Sequence, residues 1–193
     1  MYIKRCKQAS NHQGFSLVEL AVTLSIIGIL ATIASPMYTS GPDKRLKAAA
    51  RTLWADIRFV RMEAVKRRTD IGIQFTPGVF ATGGQVGSYT IFLDNGFNGG
   101  AAINPAQVGD GIMNAQEGTT PLKVVNMPRD VSLISTSFPN NSIGYNSRAL
   151  PNGVNNGNAQ MRNTRSFYRL TLSQAGSFRI ESSQDNGVTW NEN

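Results

Sequence analysis

The sequence predicts an α+β protein, helical at its start and β-rich over the remainder. Three observations carry that prediction. Residues 15–35 form an apolar run of 21 positions in which Glu19 is the sole charge. Residues 43–68 then repeat apolar side chains at steps of three and four, the spacing of one helical face. From Ile71 onward the step falls to two, and turns rich in glycine and asparagine separate short apolar stretches.

The first element is the run itself, built from Leu17, Val18, Leu20, Ala21, Val22, Leu24, Ile26, Ile27, Ile29, Leu30 and Ile33 with small residues between them. A helix of about 20 apolar residues crosses a bilayer, so residues 15–36 are expected to be a transmembrane helix. Lys4, Arg5 and Lys7 precede it and would hold its start on the cytoplasmic side. Glu19 is the anomaly, because a carboxylate in hydrocarbon costs on the order of 2.5–3.5 kcal/mol. Pro36 is expected to break or kink the helix.

Residues 37–68 form the amphipathic second half of this helix. Leu46, Ala50, Leu53, Ile57, Val60 and Ala64 make the core-facing stripe, broadened by Ala49 and Trp54, while Lys44, Lys47, Arg51, Arg58, Arg61 and Arg68 make the solvated face. Residues 69–193 form the β-rich globular domain. DIGIQF, YTIFLD, PLKVVNM, VSLIST, FYRLTLS and SFRIESS read as strands, the last two joined through Gln174-Ala175-Gly176. DNGVTW reads as one further edge strand, and residues 95–120 and 139–165 as two long polar loops.

Composition excludes several functions. Cys6 and His12 are the only cysteine and histidine, and both precede the apolar run. A chain cut after the leader therefore has no disulfide, no Ser-His-Asp or Cys-His catalysis and no His- or Cys-based metal site. No catalytic constellation and no cofactor are expected. The formal net charge of +7 drops to +4 once Lys4, Arg5 and Lys7 are removed, too little by itself to imply a nucleic-acid partner.

Three readings compete for the start of the chain. A secretory signal cut near Thr32-Ile33-Ala34 is disfavoured by the length of the run, by Glu19 within it and by Pro36 beyond it. A plain single-span anchor gives Glu19 no role. The third takes Gly14-Phe15-Ser16-Leu17-Val18-Glu19 as a unit, which resembles the signal of type IV prepilins and pseudopilins. LWADIRFVRMEAVKRRTDIGIQF, with Arg61-Met62-Glu63-Ala64 inside it, and LTLSQAGSFRI further resemble the GspH/FimT family of minor pseudopilins and minor pilins.

The resemblance implies a type IV pilin-like fold, a long N-terminal helix packed by its second half on a C-terminal antiparallel β-sheet domain. It implies a removed leader at residues 1–14, cleavage between Gly14 and Phe15 by a prepilin peptidase, and N-methylation of Phe15. Glu19 would then meet the Phe15 amine of an adjacent subunit, since an acid and an amine can neutralise each other where either alone is costly. The implied partners are other pilins or pseudopilins in a helical filament, the peptidase and an inner-membrane assembly platform. The implied location is the inner membrane, with the β domain in the periplasm. The implied role is structural, in a type II secretion pseudopilus or in priming a type IV pilus.

Two ligand questions remain at the sequence level. FLDNGFNGG begins like an EF-hand loop, but its twelfth place is Pro105 rather than a glutamate. A looser calcium cage would use Asp94, Asn98, Asp110 and Glu117, residues that turn chemistry explains equally well. Some FimT-type pilins bind DNA through a Gly-Arg-x-Arg element. Gly176-Ser177-Phe178-Arg179 lacks its first arginine, leaving Arg162, Arg165, Arg169 and Arg179 as the residues to hold phosphates.

Overall fold

The computed structural model describes residues 16–39, 41–97, 103–152, 156–173 and 176–192, with backbone only for 33–39. The chain divides into two units, one ending at Ser40 and one running from Gly41 to Asn193.

The first unit contains helix α1, Leu17–Thr39. Its start is capped by Ser16, whose Oγ accepts from the Val18 N–H at 3.3 Å and whose carbonyl accepts from Leu20. From Leu17 to Leu30 its large apolar side chains are exposed on every side. Among the described residues no helix is long and apolar enough to cross a membrane. The side chains described in α1 end at Thr32, so the expected span of residues 15–36 reaches beyond them at both ends.

Pro36 does not end the helix. α1 runs through it to Thr39, and the second helix, α2, begins at Gly41. A proline costs a helix one hydrogen bond, but its fixed φ is helical. The second proline, Pro42, sits in the first turn of α2, where the missing N–H has no helical partner to lose.

Among its described residues the second unit carries α2, Gly41–Arg67, and ten strands. These are β1 Ile71–Thr76, β2 Gln85–Val86, β3 Ser88–Leu93, β4 Lys123–Asn126, β5 Val131–Thr136, β6 Ser142–Tyr145, β7 Gly157–Arg162, β8 Phe167–Leu172, β9 Phe178–Ser183 and β10 Asn191–Glu192. They form a four-stranded sheet, β4-β3-β1-β6, and a six-stranded sheet, β10-β9-β8-β7-β5-β2. Every pairing is antiparallel except β2 with β5, which is parallel.

Six of the expected strands are present. The alternation in DIGIQF becomes β1, with Ile71, Ile73 and Phe75 buried. The expected loop 139–165 instead contains β6 and β7. β7 escapes a hydropathy reading because its inward residues are Gly157, Ala159 and Met161, two of them small. DNGVTW is a turn. Asp185 accepts from the Val188 and Thr189 amides at 3.2 and 2.9 Å, and Asn186 and Gly187 take positive φ, so the chain reverses before β10 begins.

One core serves both sheets. Leu46, Ala50, Leu53, Ile57, Val60 and Ala64 of α2 pack in a single cluster with Ile73 and Ile91 of the smaller sheet and Leu133, Met161, Leu170 and Leu172 of the larger. Every buried hydrophobic residue among those described belongs to the second unit, from Leu46 onward. That unit therefore holds a complete core and folds by itself. On the other face of β1, Gly72 lies opposite Phe92, and a Cβ there would collide with the buried ring.

Candidate functional site

Gly14 and Phe15, the expected cleavage pair, lie outside the described residues. Glu19 is in the first turn of α1, where the helix dipole favours a carboxylate. It is exposed and has no partner among the described residues. The hydroxyls of the same helix satisfy themselves. Thr23 donates to the Leu20 carbonyl at 2.9 Å, Ser25 to Ala21 at 2.8 Å and Thr32 to Ile29 at 2.7 Å. Glu19 is thus the one polar side chain described in α1 that has no hydrogen-bond partner among the described residues.

In the second unit, polar contacts fasten α2 to the sheets at both ends and in the middle. Asp43 accepts from Asn163 Nδ2 at 2.8 Å and Ser166 Oγ at 3.1 Å. Buried Asp56 accepts from the Tyr89 hydroxyl and from Lys123 Nζ, both at 2.6 Å. Burial and then the neighbouring Asp56 push the Tyr89 pKa above its ordinary value. Arg61 reaches the Ala149 carbonyl at 3.3 Å and the Gly176 carbonyl at 3.4 Å, and stands over the Tyr145 ring. In Arg61-Met62-Glu63-Ala64, then, Arg61 crosslinks the helix to two loops, Glu63 pairs with Arg67 at 2.5 Å, and Ala64 enters the core. Sequence spacing revealed the stripe but not these ties.

The four residues of the expected calcium cage divide. Asn98 lies outside the described residues. Buried Asp94 accepts from the Gly109 amide at 3.0 Å and the Gly111 amide at 2.7 Å. Burial pushes its carboxyl up to about 7, against the pull of those two amides, with Asp110 and Glu117 adding a repulsive push. Buried Glu117 accepts from the amides of Asn95, Gly96 and Asn114 at 3.0, 2.9 and 3.1 Å. Asp110 is exposed and accepts from the Ile112 amide at 2.8 Å. Among the described residues no group of three or more acidic, histidine or cysteine side chains is placed to hold a metal. The carboxylates organise the loop by collecting its backbone N–H groups, a role that spacing does not distinguish from metal ligation.

The expected phosphate-binding arginines come together in part. Arg162 lies opposite Phe167, Arg169 opposite Glu181, and Thr171 opposite Arg179. Arg162, Arg169 and Arg179 therefore step diagonally across β7, β8 and β9 on one face, with neighbours about 7–8 Å apart. Arg162 is stacked between Phe80 at 4.0 Å and Phe167 at 4.4 Å. Arg169 lies over Trp190 at 4.1 Å and donates to Glu181 at 2.7 Å. Arg179 is exposed, and Arg165 sits in the β7–β8 turn, its amide bound to Asn163 Oδ1 at 2.7 Å.

This chain is similar to known proteins in several stretches. The pattern of the prokaryotic N-terminal methylation motif matches residues 9–35. The pilin-like protein PilA1 of Thermus thermophilus is 34% identical over 88 residues, 45% of this chain and 51% of that protein, so the match spans about half the relative's length. A crystal structure of the Pseudomonas aeruginosa type IV minor pilin FimU aligns with a TM-score of 0.47 at 15% identity, covering 77% of this chain and 94% of that one. The family pattern described as type II transport protein GspH matches residues 49–176, from the middle of α2 to the turn after β8. The chain belongs to this GspH family of minor pseudopilins and pilins, and it carries the family's methylation-type start.

Proposed function

We propose that the protein is a structural minor pseudopilin of a type II secretion apparatus, sitting at or near the pseudopilus tip. A prepilin peptidase cuts the precursor between Gly14 and Phe15 and methylates Phe15. α1 then anchors the chain in the inner membrane, with residues 41–193 in the periplasm, until extraction into the filament. The match to the pattern described as type II transport protein GspH favours the secretion apparatus, and the observation that supports a filament subunit of either machine is Glu19, an exposed acid without a partner among the described residues, on a helix whose described hydroxyls bond to their own backbone. An amine of a neighbouring subunit answers that demand. Its role is structural rather than catalytic, with other pseudopilins, the peptidase and an inner-membrane platform as partners.

The test is a strain lacking the gene. Loss of protein from the culture supernatant, restored by the wild-type gene but not by Glu19→Ala, supports the reading. Cleavage at Gly14 should persist in Glu19→Ala, and normal incorporation of that variant into a filament would sink the role given to Glu19.

The second reading is a minor pilin that primes a type IV pilus, with DNA binding as a variant of it. The diagonal of Arg162, Arg169 and Arg179 favours it, since phosphates require only positive charge at a regular spacing. Loss of surface pili with secretion intact would select this reading. A salt-sensitive gel shift with residues 41–193 would add DNA to it.

A further inference from the structure

The larger sheet has an outer face, turned away from α2. Leu133 and Met161 belong to the core shared with α2, so Ser132 and Arg162, their neighbours along β5 and β7, leave the opposite side. An open depression of about 400 Å³ lies over that face, a size within the range of small-ligand sites. Pro77, Gly78, Val79, Phe80 and Ile134 line it, and Arg162 is the one charged residue among its walls. The Gly78 amide is bound to the Leu133 carbonyl at 2.9 Å, which braces the loop beneath Val79, a side chain 90% exposed.

Two polar groups at this place have no answer within the described residues. Arg162 is held by the Phe80 and Phe167 rings, 4.0 and 4.4 Å away, and its Nε donates to the Asn163 carbonyl at 3.2 Å. Stacking occupies the faces of a guanidinium and leaves its edge, and here the terminal nitrogens meet no acceptor and no acid among the described residues. Ser132 is 0% exposed, and its Oγ has no hydrogen-bond partner among the described residues. It stands directly opposite Arg162 in the β5–β7 register, so the two side chains leave the sheet side by side. A buried hydroxyl without a partner is rare enough to require a reason.

We infer that this depression binds the C-terminal residue of another polypeptide, with its carboxylate on Arg162 and Ser132 and its apolar side chain among Val79, Phe80 and Ile134. The planar edge of a guanidinium matches the two oxygens of a carboxylate, and the Ser132 hydroxyl supplies a third donor. The rings and the Asn163 carbonyl fix Arg162 before a ligand arrives, which lowers the entropy lost on binding. The walls suit an apolar side chain and offer nothing to the sugars beside a nucleic-acid phosphate. Gln160 and Asn158, the next outward residues along β7, add half-buried amides that a peptide backbone can bond and a fatty acid cannot. The site lies wholly within the second unit, so it holds for either kind of filament.

The test is fluorescence anisotropy with the full chain in a nonionic detergent. The probe is a labelled peptide ending in Ser-Gly-Leu with a free carboxylate, compared with the same peptide amidated at that end. The free acid should bind saturably, and the amide should bind about ten-fold more weakly or worse. Arg162→Gln should bring the acid down to the level of the amide and leave the amide unchanged, a result that loss of the fold would not give. Ser132→Ala should weaken the acid several-fold, whereas Lys47→Gln, an exposed cation on α2, should change neither peptide. Where Arg162→Gln loses the amide as well, Ser132→Ala decides, and an unchanged preference for the acid there overturns the inference. Equal binding of acid and amide, binding of neither, or an acid preference that survives Arg162→Gln also overturns it. So does binding of octanoate with the peptide ignored, which would assign the depression to a fatty acid. Retardation of duplex DNA that depends on Arg162, again with the peptide ignored, would assign it to nucleic acid and overturn it too.

Discussion

Two helices of similar length, 23 and 27 residues, follow each other in this chain and meet opposite requirements. α1 is apolar all round, exposes every large side chain described on it, and binds its hydroxyls to its own carbonyls. α2 concentrates its apolar residues on one stripe, buries them, and places three acids where cations or sheet residues reach them. The lesson is that a helix's neighbours are written in the angular distribution of its hydrophobicity rather than in its amount. A helix hydrophobic in all directions suits an apolar surround, and one with a stripe suits a single packed face.

The sharpest way to break this comparison is to put the same change in both helices. Leu53 is 0% exposed, so in the full chain Leu53→Asp should cost about 4 kcal/mol or more and leave the unit from Gly41 onward unfolded or far less stable in a thermal melt. Leu24→Asp, at a position 60% exposed, should leave that melt unchanged. It should instead lower membrane retention, measured by carbonate extraction, at a cost of about 3 kcal/mol for an acid in mid-helix. Equal effects of the two substitutions on the melt would refute the division of labour.

The polar ties of α2 give a smaller signal. Asp56→Ala strands the Tyr89 hydroxyl and the Lys123 ammonium, and it should lower stability by about 2–3 kcal/mol in urea unfolding.

A pH series sharpens the picture of the loop. The folded pKa of Asp94 lies above the 3.8 of a free carboxyl, at about 7, so the folded protein holds this proton more tightly than the unfolded chain. The contribution is full below pH about 4, declines as pH rises toward about 7, and is flat beyond. Asp94→Asn should flatten that decline in the urea midpoint. The smallest effect belongs to Arg169→Ala, which removes a partly exposed pair with Glu181 and a stack on Trp190, and should cost about 0.5–1 kcal/mol in the same assay.

Much of this was legible in the sequence where it is local. All six residues of the α2 stripe are buried, because a helix repeats its face every three or four positions and the pattern needs no distant partner. β1, β3, β4, β5, β8 and β9 lie on the short apolar stretches between turn signals where the sequence puts strands. β7 was illegible because its burial comes from lying between β5 and β8, not from hydropathy of its own. Asp56 meets Tyr89 and Lys123 across 33 and 67 residues, and nothing near Asp56 in sequence announces either contact. Asp94 and Glu117 were singled out as oxygen ligands of a calcium cage. The structure surrounds them with backbone N–H groups, and composition alone cannot distinguish that from a cation. α1 runs past Pro36 to Thr39 because a proline's fixed φ is helical and it costs the helix one hydrogen bond rather than forbidding the turn.

The self-bonded hydroxyls of α1 have a consequence for traffic between environments. A helix that needs no outside donor or acceptor can exchange lipid tails for the flanks of other helices without making or breaking a hydrogen bond at Thr23, Ser25 or Thr32. For those positions the two surroundings are nearly equivalent. Direction must then come from a group that does tell the surroundings apart. On the described part of this helix the side chain without such a bond is Glu19, and in the function proposed above that single carboxylate is what would give an otherwise indifferent rod a preferred destination.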